Sequence, residues 1–106
     1  MKVSAGRPID VYEPSGSELR IHWNIIEKTR EESDGTTTTY WEADEALCDV
    51  AADRATLIET IIGAEYSMGR EFAAINNRED DPEAYAAYQA FRAQAKVLAD
   101  GWLHRA

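Results

Sequence analysis

Two periodicities divide the chain. In the first half Leu19, Ile21, Trp23 and Ile25 alternate with Arg20, His22 and Asn24. After Ser33-Asp34-Gly35 a second run places Trp41, Ala43 and Leu47 on one parity. Alternation of this kind predicts two strands and a turn, a hairpin over residues 17–50. The pattern also predicts the turn. A two-residue Asp34-Gly35 loop would pair residues whose numbers sum to 69 and set odd-numbered apolar residues against even-numbered ones. A three-residue Ser33-Asp34-Gly35 loop, with Gly35 left-handed in a bulge, gives a sum of 68 and pairs Ile21 with Leu47 and Ile25 with Ala43. The second register is expected, with Glu45, opposite Trp23, as its one misfit and a mark of where the second strand bends or ends. An isolated hairpin is marginal in water, so its Trp-bearing face is expected to pack on helices.

Residues 53–103 predict three helices, each with its own start signal. Asp53 caps a segment from Arg54 to Gly63 with an apolar face of Leu57, Ile58, Ile61 and Ile62. Ser67 caps a turn carrying Met68, Phe72 and Ile75, and Tyr66 falls at the corner between the two. Asn76-Asn77 and Arg78-Glu79-Asp80 read as an exposed connection. Asp81-Pro82-Glu83 then opens the longest helix, because a proline at the first helical position removes an N–H that needs no partner there. Ala84, Tyr88, Phe91, Ala95, Leu98 and Trp102 follow at spacings of four and three, on one stripe about 30 Å long. The stripe reads as packing against the protein's own core. Its spacing is also that of a coiled coil, which would make it a self-association face or a partner groove.

Composition narrows the picture further. A chain of 106 residues with 44% hydrophobic content suffices for one core and one domain, 1–106. Residues 1–16 hold two of the three prolines and two glycines. They read as an arm or edge strand, with Pro8 to Tyr12 the only hint of a strand. One cysteine excludes an internal disulfide framework and suits a reducing compartment. No apolar region follows Met1 and no apolar run is long enough to span a bilayer, so neither secretion by a signal peptide nor membrane insertion is expected.

The formal charge of −9 is concentrated. Glu42, Asp44, Glu45, Asp49 and Asp53 form one group without a base, and Glu79, Asp80 and Asp81 form another. Such a surface repels phosphates and argues against direct binding to nucleic acid or an anionic membrane. It reads as a solvated face, or as a surface steering the protein toward a basic partner.

Candidate chemistry is sparse. The phosphate-loop, dinucleotide, zinc-protease, nucleophile-elbow and CxxC motifs are all missing. His22 lies on the polar face of the first strand and His104 in the last few residues. Parity in the expected register puts His22 and Cys48 on one hairpin face, but zinc needs a fuller ligand set. Glu42 and Asp44 lack the glycine and terminal glutamate of a calcium loop. A hydrolase using paired carboxylates would need a concave pocket holding several of them. No catalytic residue, metal or cofactor is expected.

The stretches from Glu59 to Met68, from Glu71 to Asn77 and from Asp81 to Arg92 resemble the helical part of small proteins encoded by tailed phages and prophages, often beside tail-fibre or baseplate genes. The likeness covers roughly the last half of the chain, and Tyr40 to Val50 follows a similar strand-then-helix layout more loosely. The amino-terminal arm departs from the pattern, which leaves an attachment role for residues 1–16 open. The resemblance implies a virion-associated or tail-assembly role, in the particle or the host cytoplasm, with no catalytic residues to carry over.

The expectation is therefore an α+β protein, an antiparallel hairpin with room for an extra edge strand packed on three helices. It acts as a non-catalytic structural or assembly accessory protein that binds another phage protein or itself. The expected contact residues are Tyr88, Phe91, Leu98 and Trp102 if that stripe is exposed, and Glu42, Asp44 and Asp49 if the partner is basic. The alternative is a small acidic regulatory protein that imitates DNA toward a basic host protein.

Overall fold

A computed structural model describes residues 1–105. The fold is α+β, and contacts gather it into two compact units, Met1–Val50 and the segment from Ala51 onward. The boundary falls where alternation gives way to helical periodicity.

The first unit is an antiparallel sheet of β1 (Lys2–Ala5), β2 (Tyr12–Ser15), β3 (Glu18–Glu31) and β4 (Thr37–Asp49), in the order β1-β4-β3-β2. The long hairpin closes as expected. Ser33, Asp34 and Gly35 form its loop, Gly35 has φ 85, and Glu32 donates its amide to the Thr36 carbonyl at 2.8 Å. Asp34 Oδ1 accepts from both the amide and the hydroxyl of Thr36, which holds its carboxyl below the usual range. Pairs from Glu31 and Thr37 down to Ile26 and Glu42 keep the expected sum of 68.

Below that point the register changes. Between Trp23 and Ile26 the ladder slips by one residue, so that Ile21 faces Ala46 and Trp23 faces Asp44. The expected pairings of Ile21 with Leu47 and Ile25 with Ala43 do not form, because Asn24 and Ile25 together oppose one residue of β4 in a bulge. Asn24 takes the left-handed conformation at φ 53 and donates its amide to Asp44 at 2.9 Å. The slip puts Leu19, Ile21 and Trp23 on one face with Ala46 and Cys48, and leaves Leu47 exposed on the other.

The amino-terminal residues form two edge strands rather than one, and Pro8 to Val11, expected as a strand, lie in the connection 6–11 between them. A two-residue Gly16-Ser17 turn, with Gly16 at φ 61, brings β2 back along β3. Since β1 and β2 occupy opposite edges, the connection must cross the sheet.

The second unit comprises α1 (Arg54–Glu65), α2 (Met68–Asn76) and α3 (Pro82–Leu103). Each expected cap is present: Asp53 accepts from the Thr56 amide, Ser67 from Arg70 and Asp81 from Ala84. Leu57, Ile61 and Ile62 of α1 are buried, with Tyr88, Ala95, Ala99 and Trp102 of α3. Arg54 grips both carboxylate oxygens of Asp100 at 2.7 and 3.3 Å, fixing α1 beside α3.

Asn24→Gly keeps the left-handed backbone and loses only the Asp44 bond. It should cost less in urea unfolding than Asn24→Val, whose branched side chain adds about 1–2 kcal/mol of backbone strain. Equal losses would show that the bulge backbone is not what Asn24 supplies. Thr56 at the α1 cap holds the carboxyl of Asp53, and Arg54 of α1 that of Asp100 on α3, below the usual range. A depressed folded value means stability present above the ordinary carboxylate range and lost as pH falls through the depressed one. Asp53→Asn retains an acceptor without the charge, so its urea midpoint should fall less than that of the parent between pH 7 and pH 3.

Candidate functional site

In the sheet unit the bulge opposes His22 to Glu45 across the central strands. Both side chains are buried, 3% and 4% exposed, although each is polar and Glu45 looked like a misfit opposite Trp23. His22 Nε2 lies 3.0 Å from Glu45 Oε2 and His22 Nδ1 lies 2.8 Å from the Asp10 carbonyl. A carbonyl only accepts, so Nδ1 carries a hydrogen. The Nε2 contact is then a hydrogen bond only with a further proton between nitrogen and carboxylate. The other Glu45 oxygen lies 3.5 Å from Arg20.

This group fastens the crossover. Besides the Asp10 carbonyl, the His22 amide donates to Val11 O at 2.8 Å, and Glu13 accepts from the Asp10 amide and pairs with Arg7. Burial works against ionisation of Glu13, but the Asp10 amide, Arg7 and His22 outweigh it and hold its carboxyl below the usual range. A hollow of about 320 Å³ lies along these residues, and both its carboxylates, Glu13 and Glu45, are tied to cations. Cys48 does not join His22. It pairs with Leu19 on the opposite face, and burial pushes its thiol up. Among the described residues no cluster of three or more His, Cys, Asp or Glu could hold a metal ion.

The acidic segment of β4 is similarly engaged. Glu42 is bound by Lys28, and Asp44 lies buried with Lys2 at 3.1 Å and Asn24 at 2.9 Å, while Asp49 is exposed beside Glu18. These residues do not form a row of open carboxylates.

In the helical unit, the stripe turns inward. Tyr88 and Trp102 are 3% and 6% exposed, and Phe91 and Leu98 are half-buried. The condition under which this stripe was expected to meet a partner is not met. Tyr88 instead donates its hydroxyl to Glu71 Oε1 at 2.8 Å, tying α3 to α2, and burial together with that carboxylate pushes its phenol up. Tyr66 stands edge-on to Tyr88 at 5.1 Å between centroids and near Phe91 at 5.9 Å, and the Arg70 guanidinium covers the Tyr66 ring at 4.7 Å.

What lies outward is α2. None of its nine residues is buried, and Met68 and Phe72, one turn apart, are 72% and 58% exposed. Tyr66 walls two hollows on this unit. One, of about 1000 Å³, has Ile58, Ile62 and Met68 beside Glu71 and Arg92; the other, of about 410 Å³, is lined largely by alanines of α2 and α3. Sequence periodicity had grouped Met68 and Phe72 on one face without showing which way that face points. No family model matches the chain, and comparison with curated proteins and with solved structures yields no match. Among the described residues, no helix is long and apolar enough to cross a membrane.

His22→Leu removes one partner of a buried pair and should cost about 3–5 kcal/mol in urea unfolding. Replacing Glu45 by Leu in the same chain should recover much of that loss. A double variant as unstable as the sum of the singles would show that the two residues are not coupled.

Proposed function

We propose that this protein is a non-catalytic contact module whose helical unit binds another protein of a tailed phage or prophage as an accessory of tail assembly, in the particle or the host cytoplasm. The observation that carries the reading is the exposure of Met68 and Phe72, one turn apart on a helix that buries none of its residues, with Met68 lining an aromatic-walled cleft. Large apolar side chains exposed side by side mark surfaces suited to a protein partner. The phage setting rests on the resemblance of the segments between Glu59 and Arg92, which include these residues.

The groups suited to acid-base or nucleophilic work support a non-catalytic role. Both ring nitrogens of His22 are engaged and the Cys48 thiol is pushed away from the reactive thiolate. DNA imitation is less favoured on β4, where Glu42, Asp44 and Glu45 are held by Lys28, Lys2 and His22.

In the organism that carries the gene, the chain should co-sediment with induced particles or tail structures on a density gradient. Phe72→Asp changes an exposed side chain, so it should alter stability by no more than about 0.5 kcal/mol, yet remove the protein from those fractions. Absence of the parent chain from every particle and tail fraction, or retention of the variant there, would overturn the reading.

A further inference from the structure

The two strands of the long hairpin run beyond the rest of the sheet. β2 pairs with β3 only from Glu18 to Ile21, and β1 pairs with β4 only from Trp41 to Asp44. Beyond them the ribbon of Ile26–Glu31 and Thr37–Tyr40 has two outer edges that no strand among the described residues covers. The bond from the Glu32 amide to Thr36 sets the alternation, so that even-numbered residues turn their amides and carbonyls toward the partner strand. Glu27, Thr29 and Glu31 therefore present theirs outward on one side, and Thr37 and Thr39 on the other.

The two edges differ in what they would set opposite a second copy. An antiparallel partner must match outward residues with outward residues. On the β3 edge, Thr29 opposite Thr29 sets Lys28 against Arg30 and Glu27 against Glu31. Shifting one step either way sets Lys28 against Lys28 or Arg30 against Arg30. Each register opposes like charges. The β4 edge carries no charge from Thr36 to Tyr40. Thr37 falls opposite Thr39, Thr38 opposite Thr38 and Thr36 opposite Tyr40, all of them β-favouring residues.

We infer that the β4 edge pairs with the same edge of a second copy of this chain, antiparallel, with a two-fold axis at Thr38. Each Thr37–Thr39 pair exchanges both of its backbone hydrogen bonds, and the two hairpins join into one ribbon of four strands. β1 limits the contact at Trp41, where Ala5 already occupies the edge. So short an edge buries far less than the roughly 1,600 Å² of a standard interface, and the dimer is accordingly weak. The edge uses none of the residues of α2, so its test does not depend on the helical contact.

Sedimentation equilibrium of the full chain over a rising concentration series should show a monomer–dimer equilibrium. Thr39→Pro removes an outward N–H that the β3–β4 ladder does not use, and should give a monomer with an unchanged far-ultraviolet dichroism spectrum. Thr38→Lys places two ammonium groups across the axis and should weaken association at least about tenfold. An equal mixture of Thr38→Lys and Thr38→Glu should restore it. A parent chain monomeric at every concentration, a dimer that both Thr39→Pro and Thr38→Lys leave intact, or a mass that grows without a plateau, as β3 pairing with β4 of the next copy would give, overturns the inference.

Discussion

The buried contact between His22 and Glu45 organises the sheet unit, and it exists only because β3 carries one residue more than β4 at the bulge. Without the slip at Asn24 and Ile25, Glu45 would face Trp23 and His22 would lose its carboxylate partner. With the slip, Asp44 takes the place across from Trp23, where Lys2 and Asn24 bind it, and Glu45 lies under the crossover opposite an imidazole. The imidazole in turn reaches the Asp10 carbonyl, and its backbone amide reaches Val11. The path of residues 6–11, and with it the placing of β1 and β2 on opposite edges, is bound to this one register. Among the described residues no buried side-chain nitrogen or oxygen lacks a partner, which such a polar interior requires.

The helical unit rests on a different balance. Isoleucine and leucine of α1 and the small and aromatic residues of α3 supply its buried set, and Arg54 with Asp100 fixes the pair at one end. α2 contributes nothing fully buried. It is kept in place by directional contacts instead, from the Tyr88 hydroxyl to Glu71 and from Arg70 to the Tyr66 ring and the Glu65 carbonyl. A helix held this way leaves its apolar side chains free for another surface.

Local chemistry was legible and long-range pairing was not. Asp53, Ser67 and Asp81 announced their helices because capping involves residues three apart, and Ser33-Asp34-Gly35 announced its turn because Gly35 alone accepts the required backbone easily. The bulge left only faint traces: one Asn that tolerates the left-handed region, and a carboxylate in the wrong place. Residues 1–16 offered one edge strand where two form: β1 went unread because its partner lies some forty residues away, and β2 because its pairing rests on Gly16-Ser17, a two-residue turn signal of the ordinary kind. For the contact surface, periodicity placed Tyr88 with Trp102 and Met68 with Phe72, but it cannot say which apolar face points inward. That depends on what each helix meets. The stripe of Tyr88 and Trp102, read first as core packing, packs inward, and Met68 and Phe72, for which no direction was expected, lie outside.

The strand order also governs when the sheet can be completed. β3 and β4 are joined by three loop residues and pair as soon as both exist, and β2 needs only the short Gly16-Ser17 turn to join them. β1, the first of the four to leave the ribosome, waits for the last, since Lys2 meets Asp44. At about 5–20 residues per second that wait is on the order of seconds, far longer than the microseconds in which a hairpin forms. The edge that β1 will cover is thus the final one to close, and Trp41 to Asp44 remain open to any passing strand until it does.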